Sequence, residues 1–321
     1  MLFFVPNKQV IQDKHIDLKN GLKNTELLSF TNESIKRNLN IFWTSPDLFC
    51  SKTNSITIFN PQTLEPETLD IKQLNDKVKS VLFKYVGSIN KYRSLITPVL
   101  DSFEKDFKGN FINDIDTMRF FFDKKYLLEF QEQGFNLPKT KLVTPQVSLK
   151  EILEHSQDKE HIIKPLSGEL SVFFDKVSNI DENWLREKES HVSSWLIQEF
   201  SDKIWNGEYQ LVFFGEQFSH GLHKNYSKKD NMPSQNDRAF NQYTPTQEEI
   251  NLALELKKFV EEKLNKKIYY FRFDFLKQDD EIEILEFEAV NPGFFFTYLP
   301  SQTIMNVSEK FIDYLSSFNK Q

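Results

Sequence analysis

Between Phe271 and Glu288 apolar and polar positions alternate almost one for one: FRFDF, a polar turn KQDD, then EIEILEFE before Asn291-Pro292-Gly293. Period two is the signature of a strand with one face buried, so the spacing predicts a β-hairpin. The same criterion predicts short strands at LNIFW (39–43), SITIF (55–59) and SVLFKYV (80–86), with a helix over YRSLITPVLDSFEKDF. These make an α/β unit over residues 1–115. From Thr117 the run MRFFFDKKYLLEFQEQGF has helical spacing and stops at Gly134 with Pro138 beyond, a normal helix exit. KTKLVT, a helix at SLKEILEHSQ and the strand–turn–strand pattern HIIKPLSGELSVFFDKV complete a small α+β unit over 116–194. In 195–321, WLIQEF and EYQLVFFGEQFSHGLHKN read as strands of a larger antiparallel sheet, followed by an amphipathic helix at TQEEINLALELKKFVEEKLNK and the hairpin. The polar stretch 225–246 shows no period and is expected to be a mobile loop over a site.

Composition narrows the function classes. Forty basic and 47 acidic residues are dispersed through 321, for a net charge of −7, which argues against a nucleic-acid surface or a polybasic membrane anchor. The single cysteine, Cys50, excludes an internal disulfide and a cysteine zinc site. MLFFVPNKQV lacks a charged n-region and a cleavage site, and no 18 apolar residues run together. A soluble cytoplasmic protein with a small-molecule or peptide partner is expected; a homodimer is left open. His155, His161, His191 and His220 have no partners at metal spacing, and His223 is a candidate for ligand contact through its neighbour Lys224.

The hairpin carries the candidate chemistry. Asp274 shares a strand face with Arg272, and Glu286 shares one with Glu288. Three inward carboxylates repel one another unless a cation lies among them, and magnesium prefers such oxygen ligands together with substrate phosphate. On the hairpin alone, a wet acidic face opposite a buried Ile/Leu/Phe face explains EIEILEFE better than a metal site does, since most such strands arise that way.

Other segments, in order, resemble the ATP-grasp superfamily, most closely prokaryotic glutathione synthetase and related amino-acid and peptide ligases. VLFKYVGSINKYRSLITPVLDSF with FINDIDTMRFFFDKKYLLEFQEQGFNLPKT is similar to that family's entry into the nucleotide domain. HIIKPLSGE resembles its phosphate strand, WLIQEF with NGEYQLVFFGEQ its hinge and following hairpin, and FRFDF with LEFEAVNPG its metal hairpin. The likeness runs from about Val81 to Pro292.

The resemblance implies a three-part α/β (α+β) architecture: an N-terminal domain, a small lid and a C-terminal antiparallel sheet. It implies ATP and Mg2+, with Lys124 and Lys164 on the phosphates, Gln198, Glu199 and Phe200 on adenine and Glu208 on the ribose. Asp274, Glu286 and Glu288 would take the metal. Lys224 would be a further phosphate-side cation, Arg272 would steady the acyl phosphate and oxyanion, and Arg238 would lie near the acceptor. The implied reaction is ADP-forming carboxylate–amine ligation on an amino acid or peptide. Phosphorylation of a hydroxyl, or nucleotide binding without catalysis, are the alternatives. The chain departs from the family in Gly168-Glu169-Leu170-Ser171, where a glycine-rich loop is usual, and in Glu288, where asparagine is usual, with Asn291 nearby. Phe294 to Phe296 replace the glutamine of peptide-macrocyclising members and read as core.

Overall fold

A computed structural model of the chain describes residues 1–21, 25–84, 89–154, 156, 159–167, 173–229 and 232–318. Three sheets organise these residues. The first is mixed: Leu2–Phe4 lies at its centre, parallel to Phe42–Thr44 on one side and to Ser80–Leu82 on the other, with Asn110–Ile112 parallel beyond. Phe49–Cys50, Ser55–Phe59 and Pro66–Asp70 extend it antiparallel. A four-stranded antiparallel sheet runs in the order Asp175–Lys176, His161–Pro165, Trp195–Glu199, Thr140–Val143. A five-stranded antiparallel sheet runs Met232–Tyr243, Gln217–Lys229, Glu208–Phe214, Tyr270–Gln278, Glu281–Glu288.

Strand parity gives the five-stranded sheet two distinct faces. Leu211, Phe213, Phe271, Phe273, Phe275 and Phe287 point one way and pack against Ala253, Leu256 and Val260 of the helix Gln247–Leu264. That helix starts at a capping box, Thr246 with Glu249, and ends at left-handed Asn265, which satisfies its orphan amides and carbonyls. The intervening residues Glu208, Gln210, Arg272, Asp274, Glu286 and Glu288 therefore face away from the helix, into a cleft under the four-stranded sheet.

Three expectations are corrected. The run from Thr117 is two helices, Ile115–Phe121 and Tyr126–Glu132, broken at 122–125. Tertiary bonds make the break: Lys124 N donates to Leu166 O at 3.0 Å, and Asp123 accepts both Arg93 terminal nitrogens at 3.0 and 3.1 Å. Trp195–Glu199 pairs with Thr140–Val143 and His161–Pro165, so the lid sheet takes a strand from beyond residue 194 rather than lending it to the larger sheet. The polar stretch after Asn225 is regular: Gln217–Lys229 and Met232–Tyr243 form a long edge hairpin. It has no apolar period because neither face of its outer half is buried in a core, leaving the alternation without a hydrophobic side.

The C-terminal helix Ser301–Ser317 joins the first and last units. Phe311 and Leu315 share a core with Phe30 and Trp43 of the N-terminal unit and with Phe294 and Phe296. Asn113, fully buried, bonds both ends of the acidic hairpin. Its amide nitrogen donates to Tyr270 O (2.8 Å) and Ala289 O (2.7 Å), and its oxygen accepts from Tyr269 N and from Tyr270 N (3.3 Å). Among the described residues no helix is long and apolar enough to cross a membrane.

Candidate active site

All twelve residues singled out from the sequence line one cleft of about 460 Å3 between the four- and five-stranded sheets: Lys124, Lys164, Gln198, Glu199, Phe200, Glu208, Lys224, Arg238, Arg272, Asp274, Glu286 and Glu288. Register orders them. Asp274 stands opposite Gln210 and Glu286, Arg272 opposite Val212 and Glu288, and Glu208 opposite Lys224 and Leu276. A register shift just after Asp274 leaves Leu285 without a direct partner. Such a bulge re-aims side chains locally, and here it keeps Glu286 beside Asp274 while Ile284 returns to the core.

The cleft is a lattice of opposite charges. Arg272 Nε and Nη2 fork onto Asp274 at 2.7 Å each, and Nη2 also lies 2.7 Å from Glu288 Oε2. Lys124 bonds Glu286. Lys224 Nζ is 3.3 Å from Glu208 Oε2, which also accepts from the Tyr226 hydroxyl. Burial pushes Glu288 up to about 8 despite Arg272, with Glu286 and Asp274 adding repulsion. Burial likewise raises Asp274 to about 6 against the pull of Arg272. Glu286 goes the other way: burial opposes its charge, but Lys124 outweighs it and holds the carboxyl below its usual range. Burial, aided by repulsion from Lys124, lowers Lys164 to about 7. Its ammonium donates to Gln198 Oε1 at 2.7 Å.

The expectation of three carboxylates gathered on one ion is met only in part. They share the cleft face, yet among the described residues no three His, Cys, Asp or Glu side chains form a ready metal cage. Asp274 and Glu288 are turned to Arg272, and Glu286 to Lys124, because like charges stay adjacent only where a cation sits among them. The donor set still suits magnesium. It is all oxygen, and one or two carboxylates suffice beside phosphate.

At the hinge, Glu199 is already bonded to Lys159 at 2.9 Å. The N–H groups of Glu199 and Phe200 donate to Lys139 O and Glu160 O. Gln198 is 2% exposed and donates to Thr140 Oγ1 at 2.7 Å, so its amide orientation is set from behind. His223 is turned to the other face, stacked on Tyr209 at 4.3 Å and bonded to Asn206 O, and it does not line the cleft. His220 is a buried core histidine on Phe294 O. His155 and the segment 168–171, the glycine-poor loop included, lie outside the described residues. Asn291 lines the cleft beside Gly293.

Sequence reading missed Gln210, which is 2% exposed and donates to Glu208 Oε1 (2.6 Å) and toward Asp274 Oδ2 (3.4 Å). Its parity with Glu208 was the available signal. It also missed a buried pair behind the site. Glu26 bonds Lys84 and accepts from the backbone N–H of Phe294 and of Phe295; nothing local in either segment marks that contact.

No family model and no curated protein matches the chain. Solved structures do. Over 99% of both chains it is similar to D-cycloserine synthetase DcsG, with a TM-score of 0.70 at 14% identity. With D-alanine–D-alanine ligase from Bacillus anthracis complexed with ATP the TM-score is 0.64 at 13% identity, covering 99% of this chain and 97% of the other. With the Chryseobacterium gregarium RiPP-associated ATP-grasp ligase in complex with ADP and a leader and core peptide it is 0.61 at 13% identity, covering 98% and 96%. At such identities the likeness rests on backbone architecture, and that architecture, two antiparallel sheets closing on a charged cleft beside an N-terminal α/β unit, is the ATP-grasp fold.

Proposed function

We propose that the protein is an ATP-dependent carboxylate–amine ligase acting on an amino acid or peptide, releasing ADP and phosphate. The observation that supports it most is the interleaving of three lysines and two arginines with five carboxylates lining the cleft between the two sheets. Gathering that many charges, four of them buried (Glu208, Lys224, Arg272 and Asp274), is costly unless a multiply charged ligand completes them. A metal–triphosphate unit does so on both sides, offering anions to the cations and a cation to the acids.

In this reading Lys124, Lys164 and Lys224 take phosphate oxygens, Gln198 and the hinge at Glu199-Phe200 hold the base, and Glu208 accepts from the ribose hydroxyls, steadied by Tyr226 and Gln210. Asp274, Glu286 and Glu288 are the oxygens for magnesium. When bound, magnesium would neutralise charge on the β and γ phosphates. A substrate carboxylate oxygen attacks the γ-phosphorus and ADP leaves. An amine then adds to the carbonyl carbon of the acyl phosphate, and inorganic phosphate departs. Arg272, held rigid by Asp274, points its guanidinium to where negative charge develops on the acyl oxygen. No side chain is needed as a nucleophile, and catalysis is positioning plus charge stabilisation.

The test is product analysis across carboxylate and amine pairs with ATP and magnesium. Phosphate release that requires both partners supports ligation. Phosphate retained on a single hydroxyl-bearing acceptor, or no turnover with any pair, would overturn it. Two similar solved structures are complexes with precursor peptides, which makes peptides the first substrates to try.

A further inference from the structure

The ligase reading leaves one half of the cleft unassigned. One edge strand of the five-stranded sheet, Glu281–Glu288, carries Glu286 and Glu288; the opposite edge, Met232–Tyr243, carries Arg238 and Phe240. With four inter-strand steps between them, the edges stand roughly 19 Å apart. Charges suited to a polyphosphate crowd the first edge. Near the second one aromatic ring, Phe295, lines the cleft, and Phe240 and Tyr298 stack in a row behind it. Phe295 lies 5.2 Å from Phe240, and Phe240 stacks on Tyr298 at 4.0 Å. Arg272 Cζ stands 5.1 Å from the Phe295 ring and Arg238 Cζ 5.6 Å from the Phe240 ring. The three rings run from the cleft, where Phe295 is exposed to it, to the surface, where Tyr298 is 45% exposed.

Phe295 is held in place by more than its own packing. Phe294 and Phe296 on either side are buried and fill the core, whereas Phe295 adopts left-handed backbone, φ +56°, which a bulky residue takes only when its surroundings impose it. Those surroundings are buried polar groups on successive peptide units. Arg272 Nη1 donates to Gly293 O at 3.3 Å, Glu26 accepts from Phe294 N and from Phe295 N, and His220 Nε2 lies 2.9 Å from Phe294 O. Lys84 bonds Glu26 from behind. The fold thus directs an aromatic ring into the cleft beside the proposed oxyanion-binding arginine. Core filling alone does not require that.

We propose that Phe295, backed by Phe240 and Tyr298, forms the subsite for the carboxylate substrate, and that this substrate is an aromatic amino acid or a peptide ending in one. The proposal rests on the ligase reading and names its substrate class. A ring stacked on Phe295 is joined through one methylene to the carbon bearing the carboxylate, which sets that carboxylate beside Arg272. The flanking guanidiniums favour an aromatic, anionic group over a plain aliphatic one.

The test is calorimetric titration with N-acetyl-L-phenylalanine and N-acetyl-L-alanine, whose free carboxylates and blocked amines isolate this subsite. A preference of about tenfold or more for the aromatic ligand is expected. Phe240→Ala and Phe295→Leu should each erase most of it with nucleotide affinity within error of the parent; both rings also pack against the core, so cooperative melting is the check that each variant stays folded. Equal binding of the two ligands, or a preference that survives both variants, would overturn the subsite. Parallel assay of ADP release separates the two ideas. Run with a panel of amines beside each carboxylate, selective binding without turnover for any amine removes the ligase reading and keeps the subsite; turnover indifferent to the aromatic group keeps the ligase reading and removes the subsite.

Discussion

Lys164 offers the sharpest numerical prediction, because burial and Lys124 lower its ammonium to about 7. In the empty cleft about half the molecules would carry a neutral amine at pH 7, whereas a triphosphate oxygen beside Nζ needs the charged form. If the bound state keeps the proton through pH 9, affinity falls with pH as the empty protein loses it, in proportion to 1 + 10^(pH − 7). That factor is about 2 at pH 7 and about 100 at pH 9, a roughly 50-fold weakening worth about 2.3 kcal/mol. Calorimetric titration with a non-hydrolysable ATP analogue from pH 6 to 9, in buffers of different ionisation enthalpy, should show this slope and the uptake of roughly 0.9 proton at pH 8. Glu288 also titrates near 8, so the diagnostic is the difference from Lys164→Met, which should lose the uptake assigned to Lys164 and bind weakly even at pH 6. The same lowering has a stability sign. The unfolded chain holds this proton up to its ordinary value near 10.5, so this group adds stability to the empty fold from about pH 7 upward toward 10.5, seen as the difference between the parent and Lys164→Met. A flat profile in the parent, or an identical slope in Lys164→Met, would refute the reasoning.

Glu288 carries the opposite linkage: raised to about 8 from 4.5, it destabilises the fold as pH rises through that window. The unfolding free energy from urea melts should therefore fall less from pH 5 to pH 9 in Glu288→Gln than in the parent, by about 2–4 kcal/mol, and an equal fall in both would remove the cause assigned to it. Asn113→Ala removes a buried amide that bonds four backbone groups of the acidic hairpin, and a loss of about 2–4 kcal/mol in denaturant melts is expected; under 1 kcal/mol would mean that water or relaxation replaces it. Lys84→Met leaves Glu26 as a buried carboxylate without its cation and should cost about 3–5 kcal/mol, while adding Glu26→Gln should recover part of the loss. No recovery in the double variant would show that the pair does not act as a unit.

Much of the site was legible because strands write their faces into the sequence. FRFDF and LEFE alternate so strictly that the helix-facing phenylalanines and the cleft-facing Arg272, Asp274, Glu286 and Glu288 separate by parity alone. Thr246 and Glu249 mark a helix start, and Gly134, at φ +85°, marks an exit. Two failures share one cause. The helix expected across 118–135 breaks at Lys124 because Leu166 and Arg93, distant in the chain, capture its backbone and Asp123. The stretch after Asn225 pairs as an edge hairpin although no buried face imprints a period on it.

What the sequence by itself determined is which residues share a side of each element, since burial of one face against water on the other repeats at the spacing of the backbone. The tertiary structure alone decided what meets what: Asn113 with Tyr270, 157 positions away, Glu26 with Phe294, 268 away, and the turning of Asp274 and Glu288 onto Arg272. Contacts across such distances join single positions and repeat nowhere, so they leave no period along the chain, and only the packed fold brings them within bonding reach.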